Sequence, residues 1–199
     1  MRAGLPPRPH GTGLTCRTVT QVRIFVNTNI QTYMRARSPA RDPDPRVVQN
    51  HHVDESDIDL RNLTYRQFVE LGRAPTAEHV ALAAAIPVSE VQAGWRRLHD
   101  AHALVLDPAR LELRMLNPFS AVPTAYRVHA AGRWWYANCA WDAFGVCAAL
   151  QVGGLIEASC PHCGEVIAIT VANEQPDDSS LLFHCLVPAP RWWDDIVFT

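Results

Sequence analysis

Between Asp57 and Met115 the apolar residues follow a helical spacing three times and then an alternating one, and this order constrains the fold more than any other feature of the 199-residue chain. Leu63, Tyr65, Phe68 and Val69 predict a short helix beginning near Asp57. Thr76 is placed to cap a second helix over residues 77–85, which Pro87 stops. Ser89 and Gln92 have the spacing of a capping box. Val91, Trp95, Leu98 and His102 then fall at i, i+4, i+7 and i+11, one apolar face over three turns. Residues 104–106, the Asp107-Pro108 turn and the alternating Leu111, Leu113 and Met115 read as a hairpin. Three helices followed by a two-stranded wing predict a winged helix-turn-helix-like module over residues 57–117.

Residues 118–123 are predicted to be a loop. Beyond them residues 126–128, 133–137, 155–158 and 166–171 have strand character around one helix at 140–150. Residues 118–199 are therefore expected to form a small mixed α/β domain, and the chain as a whole to be of α+β class. Residues 1–56 are rich in Pro and Arg with no sustained period, which predicts a disordered tail. Its Arg-rich, acid-poor start has the character of an organellar transit peptide or of an upstream extension, with Met34 as an internal start. No window of about 18 uninterrupted apolar residues exists, so no membrane-spanning helix is expected.

The net charge of -2 hides an asymmetry. All 18 basic residues are Arg; eight lie in residues 1–46 against Asp42 and Asp44, leaving ten against eighteen acids in the rest. The acidic remainder disfavours a broad nucleic-acid footprint. On a helix over 89–103 a DNA-reading protein would have Arg96 and Arg97 as adjacent contacts, beside Glu90 and Asp100.

Five of the six cysteines lie in the last third of the chain, without the density of a disulfide scaffold, so a reducing, cytoplasmic setting is expected. Cys139 and Asp142 stand three residues apart where a strand gives way to a helix, and positions i and i+3 share a helix face. A thiol there meets the positive end of the helix dipole, while aromatic surroundings raise the proton affinity of a carboxyl group. The pair can thus hold a thiolate beside a protonatable acid; equally, Asp142 can be a first-turn acid and Cys139 a buried thiol. The second constellation is Cys160-Pro161-His162-Cys163-Gly164, a knuckle that supplies half of a tetrahedral zinc site, with His184 or Cys185 as a further ligand. The strand after Gly164 argues against a redox pair of thioredoxin type, whose cysteines open a helix.

The residues Pro118 to Thr124, then Trp135-Tyr136-Ala137-Asn138-Cys139-Ala140-Trp141-Asp142, then Cys160 to Val171 resemble the organomercurial (alkylmercury) lyase family, in order over residues 60–199. The resemblance implies that Cys139 and Asp142 act together as thiolate ligand and proton donor, with a second cysteine further along. In the family that cysteine follows an aromatic-rich segment like 192–198, and the sequence ends at Thr199, about where it is expected. A truncated fragment, a substitute thiol (Cys185, Cys160 or Cys163) and a member that only holds mercury or zinc are the alternatives. Metal ligands are accordingly Cys139, Cys160 and Cys163, with Hg(II) as product and zinc as a structural ion of the knuckle; no cofactor is required. The implied partners are an organomercurial substrate, small thiols and a mercuric reductase as acceptor. A metal-responsive winged-helix regulator is the competing reading.

Overall fold

The computed structural model describes residues 53–160, 163–177, 181 and 187–198. The predicted tail, apart from its last few residues, and His162, His184 and Cys185 lie outside them.

The first helix, α1 (Glu55–Leu71), has 17 residues and is longer than its apolar positions suggest. Glu55 and Asp57 occupy its first turn, where acids complement the helix dipole, and Gly72 ends it in the left-handed region at φ 69. In α2 (Ala77–Ala84) Thr76 accepts a bond from the His79 amide, and His79 closes the box from its ring. The predicted Ser89 cap is not formed. α3 (Val88–Asp100) starts one residue earlier behind Pro87, whose fixed φ and missing N–H suit the position before a first turn. Val91, Trp95 and Leu98 are fully buried, as their spacing predicts. His102 is not on that face: it lies past the helix end at φ 62, and its ring stacks on Trp193 at 3.9 Å.

α1 and α3 cross closely at Gly94, where an added Cβ would come within 2.3 Å of Leu60 Cδ2. The crossing is tied by a satisfied polar chain: Trp95 Nε1 donates to Thr64 Oγ1 at 3.1 Å, and Thr64 Oγ1 donates to the Leu60 carbonyl at 2.8 Å. At its rim Arg97 grips Asp57 through two bonds of 2.8 and 2.6 Å.

The chain then forms a three-stranded antiparallel sheet in the order β1 (Val105–Leu106), β2 (Leu113–Leu116), β3 (Phe119–Ser120). The predicted loop over 118–123 is therefore corrected. Its prolines interrupt the chain, but the two residues after Pro118 still pair with β2, Leu116 facing Phe119, and bury the Phe119 ring.

A second, five-stranded antiparallel sheet has the order β5 (Arg133–Tyr136), β4 (Arg127–Ala130), β6 (Gly154–Ser159), β7 (Val166–Ala172), β8 (Gln175–Pro176). Helix α4 (Ala140–Leu150) packs on β4 and β6. Val128 and Ala130 point to the core while Arg127 and His129 point away, the period-two alternation of a half-buried strand. On the outer face Arg127 lies over the Trp134 ring at 4.3 Å and 3.6 Å from Glu157.

Phe119 joins the helical layer to this sheet. Its ring stacks on Phe68 of α1 at 5.1 Å and meets Trp135 of β5 at 5.2 Å, and its backbone bridges to Ala137. Arg133 reinforces the junction by donating to the α1 carbonyls of Val69 and Glu70 at 3.2 and 3.0 Å. The mixed α and β composition with two sheets agrees with the predicted class. A short 3-10 helix, Ala189–Asp194, closes the described chain. No helix among the described residues is long and apolar enough to cross a membrane.

Candidate active site at the start of helix α4

Helix α4 begins directly after β5, and Cys139 occupies its N-cap position with extended backbone. A sulfur in that place can do what a capping oxygen does: the Asp142 amide donates to Cys139 Sγ at 3.5 Å. The thiol therefore sits against the unsatisfied N–H groups of the helix start, where negative charge is favoured. Both Cys139 and Asp142 are half-buried.

The Asp142 carboxyl is pushed up to about 6, because burial strips it of water; hydrogen bonds from Asn138 and the Cys139 thiol work in the opposite direction but do not cancel the effect. Thiol and acid lie on the same side of the helix start and within hydrogen-bonding reach of each other. A stability consequence follows. A carboxyl whose affinity is raised on folding binds more protons folded than unfolded between about pH 4 and 6, so its contribution is fully present below that window and is lost as pH rises through it. Two units correspond to about 3 kcal/mol at most. Asp142→Asn is thus expected to resist denaturant better than the wild-type protein at pH 8 and to lose that advantage at pH 4. Parallel denaturation midpoints at the two pH values would show the carboxyl to be unstrained.

Asn138 was not singled out by sequence reasoning, and its signal is slight: one amide at the end of an aromatic strand. Its Nδ2 donates to Asp142 Oδ2 at 2.9 Å and to Asn117 Oδ1 at 3.1 Å. Tyr65 of α1 lies within electrostatic reach of the acid. Its hydroxyl donates to the Asn117 carbonyl, and Arg61 Nη2 donates to that hydroxyl at 3.2 Å. Burial raises the Tyr65 phenol, Arg61 opposes this, and charge on Asp142 adds to it.

The sheet register brings a second cysteine to the same end of the molecule. Arg127 faces Tyr136 of β5 on one side and Glu157 of β6 on the other. Continuing that register by one residue puts Tyr126, the residue before β4, opposite Ala137 and Ala158, so Cys139 and Cys160 each follow two residues later, just past its two flanking strands. Burial pushes the Tyr126 phenol up, and negative charge on Cys139 and then Cys160 pushes it further, so both thiols lie within its electrostatic reach. Cys163 is exposed, with its Sγ 4.0 Å from Glu165 Oε2. The Gly164 amide donates to the Cys160 carbonyl at 2.8 Å, with Gly164 at φ 73. Among the described residues no group of three or more His, Cys, Asp or Glu side chains is arranged to hold a metal ion; the further ligands expected for a zinc knuckle, His184 or Cys185, lie outside them. Cys147 is buried in the core, where burial raises its thiol.

The half-chain that carries this geometry has a recognisable pattern. Residues 119–199 match the alkylmercury lyase family, MerB. The match takes in Cys139, Asp142, Cys160 and Cys163, and with it the resemblance read from the sequence stands for this segment. A solved structure described as the mercury-bound form of MerB2 has a similar fold, with a TM-score of 0.52 and 24% identity over 63% of this chain. The similarity spans 60% of the length of that MerB2 chain. No curated protein matches the chain.

Proposed function

We propose that the protein cleaves carbon–mercury bonds by protonolysis, with Cys139 as the thiolate that takes the organomercurial and Asp142 as the general acid. The observation that carries this reading is a half-buried carboxyl, pushed up to about 6, one helical turn from a half-buried thiol at a helix N-terminus. The MerB match over the same residues supports it.

Mercury is soft and prefers thiolate to nitrogen or oxygen donors, so the substrate R–Hg–X exchanges X⁻ for the Cys139 sulfur. The thiol proton passes to Asp142, whose affinity allows it to be held and then given up. Cys160, like Cys139 within electrostatic reach of Tyr126, supplies the second sulfur, and its thiol proton leaves to solvent with the displaced X⁻. With two thiolates on mercury the carbon–mercury electron pair moves onto carbon, which takes the proton from Asp142 and leaves as R–H. Mercury remains as Hg(II) on two sulfurs, for transfer to a small thiol or to a mercuric reductase. No resident cofactor takes part in any step.

The N-terminal helices and first sheet, in this reading a winged-helix-like module, act as a packing partner for the second sheet and its helix, since Phe68 and Phe119 meet Trp135 and Arg133 donates to the Val69 carbonyl. The alternative, a DNA-binding regulator, is weakened because the Arg97 guanidinium already donates twice to Asp57. Incubation with a phenylmercury salt and excess thiol is expected to release benzene catalytically. Retention of the phenyl group on protein or thiol, with no hydrocarbon in the headspace, would refute the assignment.

A further inference from the structure

We infer that Asn138 is a positioning residue of this site: its side-chain amide holds Asp142 by Oδ2 and so makes Oδ1 the oxygen that carries and delivers the proton. The inference deepens the proposed protonolysis and rests on it for its catalytic meaning.

The orientation of the Asn138 amide is dictated by its surroundings. Four acceptors lie around Nδ2: Asp142 Oδ2 at 2.9 Å, Asn117 Oδ1 at 3.1 Å, and the carbonyls of Pro118 and Phe119, both at 3.4 Å. Turning the amide over would aim its oxygen at the Pro118 and Phe119 carbonyls, which can only accept, and two acceptors cannot bond without a hydrogen between them. Asn138 Oδ1 is meanwhile buried and has no hydrogen-bond partner among the described residues. A buried acceptor left unsatisfied is costly, so the amide is held in place by what Nδ2 does and not by its oxygen.

An amide NH₂ can only donate. Asp142 Oδ2 must therefore present a lone pair to it, and a proton on the carboxyl belongs on Oδ1. The same amide reaches the turn between β2 and β3 through Asn117, so the acid is fixed against a second element of the fold rather than swinging with its own helix. Placement of this kind matters to rate because a proton donor misplaced by about 1 Å can cost roughly 100-fold.

Two measurements on the full chain test the inference. In the first, hydrogen exchange of the assigned Asn138 side-chain amide is followed by nuclear magnetic resonance in wild-type and Asp142→Ala protein. Exchange at least about tenfold faster in the variant is expected, since a charge-assisted bond has been removed. Equal exchange would overturn the inference. In the second, Asn138→Leu, close in size but without the donor, is loaded with phenylmercury. Stoichiometric loading with benzene release slowed about 100-fold is expected. Unchanged release, or loading and release falling together, would contradict a positioning role. Should wild-type protein release no benzene, the proposed function fails, and the exchange measurement alone decides whether Asn138 holds Asp142.

Discussion

Asp142→Asn is expected to take up one phenylmercury per Cys139 and then to release benzene more slowly than wild type by a factor of roughly 10² to 10⁴, the usual contribution of a positioned general acid. Loading survives because it needs the sulfur, which the substitution leaves in its N-cap position with the backbone amide of residue 142 still available. Cleavage does not, because an amide cannot give a proton to a departing carbanion. The pH dependence has a definite sign. With the carboxyl near 6, the fraction holding a proton after loading falls about tenfold per unit above that value, so the single-turnover rate declines on the alkaline side. The variant should show no such decline. A rate in Asp142→Asn within a few-fold of wild type, or loss of loading together with cleavage, would show that the roles given to the two side chains are wrong.

Phe119→Ala is expected to destabilise the protein by about 3–5 kcal/mol, the range for emptying a large buried aromatic site. The ring is 1% exposed and touches Phe68 on one side and Trp135 on the other, so no neighbouring side chain is free to fill the space. Because it joins α1 to β5, the loss should fall on both layers. Unfolding followed at Trp95, within the helical layer, and at Trp135, within the sheet, should shift together in one transition. Separate midpoints would mean that the helical part and the sheet are independent units and that the N-terminal half does not buttress the site. A loss below about 1 kcal/mol would contradict the packing described.

Much of this arrangement was legible in the sequence where one physical signal dominated. Val91, Trp95 and Leu98 were readable because a three-turn helix has one direction in which to bury them, and Ala140–Leu150 because an apolar run followed a strand and a residue able to cap. Thr76 announced α2 for the same reason. β3 escaped because two residues between prolines give no period, and what makes them a strand is the long-range pairing of Leu116 with Phe119. Ser89 misled because capping preference competes with the backbone restriction of Pro87, and the restriction won. At the site, the i, i+3 spacing of Cys139 and Asp142 was enough to place thiol and acid together, but the raised proton affinity of the acid depends on burial that no local pattern encodes. Asn138 and Tyr65 were invisible for the same reason, since their importance comes from Asn117, which is 21 residues from one and 52 from the other. That Cys139 and Cys160 follow the strands on both sides of β4 likewise required the register of β4 with both β5 and β6.

The most direct measurement is the isotopic composition of the hydrocarbon formed when wild-type protein turns over phenylmercury in D₂O with excess thiol. Transfer of one proton from an acid in exchange with solvent predicts benzene carrying a single deuterium, in amounts exceeding the protein and abolished in Cys139→Ser. Benzene without deuterium, or biphenyl, would mean that the carbon leaves by another route, and no benzene above the thiol-only control would remove the enzymatic reading altogether.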